Sequence, residues 1–222
     1  MKKSMRKLSV FCVAMLLVGT LGACSKFDAG GYLKAVLDNV YKNDSTSIVA
    51  LEFGTAEESA VVYEKGIDSL MDISLSNIAI SEELKAEYRE FFKNLYASTK
   101  YTVGEAVEVD DTTFEVTVTC EKLNVFANAF TAYEGKQAEL VAAWTETALA
   151  GGEVPTDEEK YEQFFTLYKD CLNAELAKAS YAAPVTATVR VESTDGVWEA
   201  NQEDIQSLGY VLIDFENFFV TE

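Results

Sequence analysis

At Lys100 the hydrophobic period of the chain changes from 3.6 to 2, and this switch restricts the fold more than any other feature. Before it, apolar residues recur at helical spacing: Tyr32, Leu33, Val36, Leu37 and Val40, then a short run over 45–53 closed by Gly54. Thr55-Ala56-Glu57-Glu58 has the capping-box pattern and opens a helix with Ala60, Tyr63, Ile67, Leu70 and Met71 on one stripe. Ser81 with Glu82-Glu83 opens the next, whose apolar side is Leu84, Tyr88, Phe91, Phe92 and Leu95. After Lys100, Tyr101, Val103, Val107 and Val109 alternate with polar neighbours. Beyond an Asp110-Asp111 turn, Phe114, Val116, Val118 and Cys120 do the same, which predicts a hairpin with one wet and one dry face.

The pattern then repeats in kind. Phe126, Phe130, Tyr133, Leu140, Val141, Trp144 and Ala148 predict a helix ended by Gly151-Gly152, and Thr156-Asp157-Glu158-Glu159 is a second capping box. Its helix is expected to bury Tyr161, Phe164, Phe165, Tyr168, Cys171, Leu172 and Leu176. Val185, Ala187, Val189 and Val191 then alternate, Asp195-Gly196 turns the chain, and Val197 to Ala200 returns. Asn201 caps a last helix through Ile205, Leu208, Leu212 and Phe215. Residues 82–124 and 158–200 thus read as a possible degenerate repeat of helix plus strand pair. The expected fold class is α+β: helices packed on one face of an antiparallel sheet built from two β-hairpins, because each hairpin has one apolar side to cover. Two halves split near Gly151-Gly152 are the alternative.

The first 23 residues follow other rules. Lys2, Lys3, Arg6 and Lys7 precede an apolar run, Leu8 to Val18, that is shorter than the roughly 20 residues a spanning helix needs. Leu21-Gly22-Ala23-Cys24 resembles the lipobox of bacterial lipoproteins. That resemblance implies a signal peptide over 1–23, a diacylglyceryl group with palmitate-type chains on the Cys24 thiol, and a membrane anchor on the extracytoplasmic face. Residues 24–27 are then the lipidated cysteine and a short tether, with Gly30-Gly31 as a further flexible element, and 28–222 form one extracytoplasmic domain. Buried acyl chains contribute roughly 0.8 kcal/mol per CH₂, enough to hold a soluble domain.

Phe27 to Leu33, Tyr101 to Ala106 and the strand Phe114 to Thr119, together with the lipobox, resemble a family of uncharacterised lipoproteins of Gram-positive bacteria. The ending Val185 to Trp198 with Asp195-Gly196 is similar to the closing strands of NTF2-like (cystatin-like) domains, which implies a curved sheet wrapped on a helix. Such domains include enzymes and non-catalytic binders.

Charge and residue types narrow the function classes. The chain carries a net charge of −19, and removal of the four basic residues before Cys24 leaves 14 Lys+Arg against 37 Asp+Glu, a net of −23. Phosphate repels such a surface, so nucleic acid is not an expected partner. There is no histidine, which excludes Ser-His-Asp and Cys-His nucleophile systems and His-ligated zinc. No Walker A loop, GxSxG or GxGxxG occurs. Of the cysteines, Cys12 lies in the signal segment, while Cys120 and Cys171 sit on apolar faces and read as two free buried thiols. The pairs Glu57-Glu58, Glu82-Glu83 and Glu158-Glu159 read as helix-capping acids rather than a catalytic pair, and Asp110-Asp111 reads as turn chemistry rather than a calcium site. No metal or cofactor is expected.

Two classes of function remain: a surface-anchored binding or interaction module for a small molecule or protein, and a cell-envelope enzyme using paired carboxylates. Trp144, Trp198, Tyr101, Phe126, Phe130, Phe215, Phe218 and Phe219 are the aromatics that could line a pocket, with Phe218-Phe219 expected to pack back onto the sheet. Cys24 is the one residue given a chemical role.

Overall fold

The computed structural model describes residues 27–215 and 218. The expected signal peptide 1–23, Cys24, residues 25–26 of the expected tether and Phe219 lie outside the described residues, while Phe27, expected in that tether, is buried in the core. The chain is α+β. Among the described residues four helices come first: α1 (Ala29–Lys42), α2 (Thr46–Ala50), α3 (Ala56–Leu75) and α4 (Glu82–Ala97). Strands β1 (Lys100–Asp110), β2 (Thr113–Glu121) and the short β3 (Leu123–Asn124) follow, then α5 (Phe126–Leu149) and α6 (Asp157–Leu176). Then come β4 (Ser180–Tyr181), β5 (Val185–Thr194), β6 (Val197–Ala200) and α7 (Gln202–Leu212).

The two hairpins join through β2 and β5 into one antiparallel sheet of order β1-β2-β5-β6. Cross-strand partners on one face are apolar: Phe114 opposes Val191 and Val116 opposes Val189, all four buried. Glu115 opposite Arg190 marks the other face. Helices α1 and α7 contact the sheet, and α3, α4 and α6 pack beyond. The buried side chains form one hydrophobic cluster running from Phe27 to Phe218.

Local chemistry explains the helix starts. Thr55 with Glu58, and Thr156 with Glu159, form reciprocal capping boxes, and Ser81 accepts from the Leu84 amide. Asp28 caps α1 by accepting from the Gly31 amide at 2.8 Å. A Cβ on Gly31 would lie 2.4 Å from the Asp28 carboxylate, so glycine is what lets that cap close. Gly30 and Gly31 are therefore the first turn of α1 rather than a flexible part of the tether.

Several sequence expectations are corrected. In β1 the register slips between Val103, opposite Val118, and Ala106, opposite Val116, which puts one extra residue on β1. Gly104 sits in that bulge, where a Cβ would come within 3.2 Å of the Thr117 carbonyl. The slip inverts the alternation, so Val107 is 63% exposed and Val109 is exposed too, instead of lying on the dry face. On α3 Ser59 is buried in place of Ala60.

Helix α5 departs furthest from its pattern. Phe126, Ala129 and Tyr133 are buried, but Val141 and Ala148 are exposed and Leu140 and Trp144 only half-buried. Among the described residues no further layer covers it, and the far half of α5 and the start of α6 pair as a two-helix arm. At its tip Leu149 is 85% exposed. Phe215 lies beyond the end of α7, where Ile213 has left helical conformation to bridge Leu123. The β3-β4 ribbon pairs only two residues from each strand, too few to produce a periodicity signal in the sequence.

The aromatic cleft between the helices

Helices α3, α4, α5 and α6 enclose a cavity of about 400 Å³. The last turn of α3 (Ile73 to Leu75) and the loop after it (Ser76 to Ile78) make one wall. Tyr88 and Phe92 of α4 form the floor with Phe218, whose ring lies 5.6 Å from Phe92. Helix α5 supplies Tyr133 and Gln137; α6 supplies Tyr161, Phe164, Phe165 and Tyr168. Eight of the fifteen lining residues are aromatic and none carries a formal charge.

Helix spacing produces this lining. Tyr161, Phe164, Phe165 and Tyr168 stand at i, i+3, i+4 and i+7 and so share a face, as do Tyr88 and Phe92 at i and i+4. Specific contacts hold the walls apart at fixed positions. The Tyr88 hydroxyl donates to the Phe165 carbonyl at 2.8 Å, and Tyr133 meets Tyr168 edge to face at 5.2 Å. Glu162 accepts from the Ser81 amide at 2.9 Å and from its hydroxyl, and Lys169 of α6 pairs with Glu87 of α4. Outward on the arm, Trp144 packs 5.1 Å from Phe164 and its indole donates to Gln163.

Burial pushes the Tyr88, Tyr133 and Tyr168 hydroxyls above the ordinary phenol value, with smaller contributions from neighbouring ionisable groups. They are therefore neutral at physiological pH, and the cleft offers π faces and neutral hydrogen-bonding groups. Exposure rises from floor to rim: Phe92 is buried, Phe164 half-buried and Tyr161 60% exposed.

The aromatics singled out from sequence do not assemble into one site. Phe218 lines the cleft, but it packs against Phe92, Phe126 and Phe215 in the helical layer rather than on the sheet. Phe126 stacks on Phe215, and Phe130 packs beside Tyr133. Trp198 belongs to a separate box at the start of the domain, stacked on Phe27 at 4.5 Å with Phe114 alongside. Tyr101 lines a polar hollow with Lys34, Asp38 and Lys42. Those groups satisfy one another: Tyr101 donates to Asp38 at 2.9 Å, and the Lys42 ammonium caps the end of α4 through the Ala97 carbonyl at 2.7 Å and through Thr99.

From sequence, Tyr88 and Phe92, Tyr133, and Tyr161, Phe164, Phe165 and Tyr168 read as core stripes of three separate helices. The available signal was the mix of tyrosine with phenylalanine on α6, since a phenol needs a polar partner that a dry core rarely supplies. The acid pairs do not converge either. Each occupies the first turn of a different helix, and Glu58 and Glu159 are held below the ordinary carboxylate range by their capping hydrogen bonds. Asp110 accepts from the Thr112 amide within its turn. Cys120 and Cys171 are free and buried, and burial pushes the Cys120 thiol up to about 11. Among the described residues no helix is long and apolar enough to cross a membrane, and no group of three or more His, Cys, Asp or Glu is placed to hold a metal ion.

Fold and cleft together define an α+β domain whose helical layer, on one face of a four-stranded antiparallel sheet, carries an aromatic cavity. The crystal structure of the Bacillus subtilis protein ycdA, described as a candidate lipoprotein, shares this fold with a TM-score of 0.60 at 15% sequence identity. The match covers 84% of this chain and 56% of ycdA, so this chain spans little more than half the length of that protein. At such identity the likeness is one of fold. No protein-family model and no curated protein sequence matches the chain.

Proposed function

We propose that the protein is a lipid-anchored, non-catalytic binding module on the extracytoplasmic face of the membrane, with the aromatic cleft as its ligand site. The observation that carries this reading is the cleft itself: a charge-free, predominantly aromatic cavity of small-molecule size in a strongly acidic chain. The lipobox at Cys24 and the description of ycdA as a candidate lipoprotein support the anchor. So does the finer resemblance to Gram-positive lipoproteins with NTF2-like domains.

Phe27 bears on the geometry of attachment. It is buried, and Cys24 lies three residues before it, so the lipidated residue is within about 10 Å of the folded body at an extended reach of about 3.5 Å per residue. A module held this close meets small solutes near the membrane surface. The net charge of −19 opposes nucleic acid as a partner.

Titration with N-phenyl-1-naphthylamine, a neutral apolar dye, tests the site. Saturable one-to-one fluorescence enhancement is expected, lost in Phe164→Arg while the variant keeps a cooperative melting transition. Absence of enhancement, or full enhancement in that variant, overturns the cleft as the binding site. For the anchor, mass spectrometry of membrane fractions is expected to find an N-terminal peptide beginning at diacylglyceryl-Cys24; a peptide retaining residues 1–23 overturns it.

A further inference from the structure

We infer that the cleft takes an organic cation, an amine or quaternary ammonium carried on an apolar body. This rests on the cleft being the binding site and adds the class of ligand. The lining contains no arginine or lysine, so nothing in it would pair with a carboxylate or phosphate. No basic residue of α3, α4, α5 or α6 is in the lining, and Arg89, Lys160 and Lys169 are each paired with carboxylates. Anionic ligands also meet the field of a chain with net charge −19.

The same field concentrates cations, and the cleft holds what recognises them once inside. Tyrosine and phenylalanine rings carry negative π faces, and an ammonium group within about 6 Å of such faces is attracted most strongly where water is thinned out. Four tyrosines and four phenylalanines line the cavity, Tyr161 standing on the rim where an entering ligand meets it first. A hydrated metal ion would find no oxygen-rich ligand cluster there, whereas an alkylated ammonium matches both the apolar walls and the charge.

Three probes of one shape and different charge separate the possibilities: choline, its neutral carbon isostere 3,3-dimethylbutan-1-ol, and the anion 3,3-dimethylbutanoate. Isothermal titration is expected to give choline at least tenfold tighter binding than the alcohol, about 1.4 kcal/mol, and no binding of the anion. Tyr161→Ala should weaken choline severalfold and Tyr161→Phe should restore it; both should leave the melting temperature unchanged because the side chain is on the rim. Equal binding of choline and the alcohol overturns the inference while leaving the cleft a binding site. Failure of choline alongside saturable binding of the neutral dye does the same. Failure of both choline and the dye removes the proposed binding site itself.

Discussion

Phe27 is the first described residue and is buried in the core, and its replacement by alanine gives a quantitative test. The ring stacks on Trp198 at 4.5 Å with an interplanar angle of 9°, and lies 5.6 Å from Tyr32, 6.0 Å from Phe114 and 6.3 Å from Phe53. It is 7% exposed. Removing a buried phenylalanine side chain costs about 3–5 kcal/mol. The site lies at the start of the domain, where neighbours can close in and water can enter, so the lower end applies, about 3 kcal/mol. For a domain of this size each kcal/mol moves the melting temperature by about 2–4 °C, which predicts a fall of about 6–12 °C. Circular dichroism melting of a soluble chain beginning at Ser25 measures it. In a Trp144→Phe background the emission of Trp198 should also shift to the red as its stacked cover is lost. A melting temperature within about 2 °C of the parent, with unchanged emission, would refute the reasoning that Phe27 anchors the N-terminal end.

Phe218→Ala should lower stability by about 3 kcal/mol, since it removes the ring packed among Phe92, Phe126 and Phe215, and should deepen the cleft; unchanged urea unfolding would contradict that packing. Val107→Lys should alter stability by less than about 0.5 kcal/mol, whereas Val103→Lys, on the covered side of the bulge, should destabilise by more than about 1 kcal/mol. Equal effects would remove the register slip. Alkaline pH should unfold the protein: burial pushes the Tyr32 hydroxyl up to about 12 and raises those of Tyr88, Tyr101 and Tyr168 as well. Phenols of the unfolded chain ionise near 10, so the stabilisation is complete below that pH and is lost as pH rises from about 10 through the raised folded values. Melting temperatures that stay level to about pH 11.5 would contradict this.

Most helices and both hairpins were legible because their apolar residues repeat at the period of the element they form. The capping boxes at Thr55 and Thr156 mark helix starts from four residues each, since both partners of the cap are local. Val107 and Val109 misled because alternation carries no mark of a bulge; the extra residue becomes visible only when β2 fixes the register. Trp144 and Val141 misled for a different reason. A stripe shows that a helix has an apolar face, and only the neighbouring elements decide whether anything covers it.

The candidate site follows the same division. The acid excess and the absence of histidine are properties of composition, and they set which ligands are repelled and which catalytic systems are unavailable whatever the fold. The sequence by itself also specified the α+β class, the two wet-and-dry hairpins and the residues that cap the helices, because propensity, periodicity and capping act over a few neighbouring positions. Only the tertiary structure decided that Tyr88 of α4, Tyr133 of α5 and Tyr161 and Phe165 of α6 face one cavity, and that Trp198 does not. Those residues are separated by tens of positions along the chain. Their meeting depends on how whole helices pack, and no local pattern encodes that.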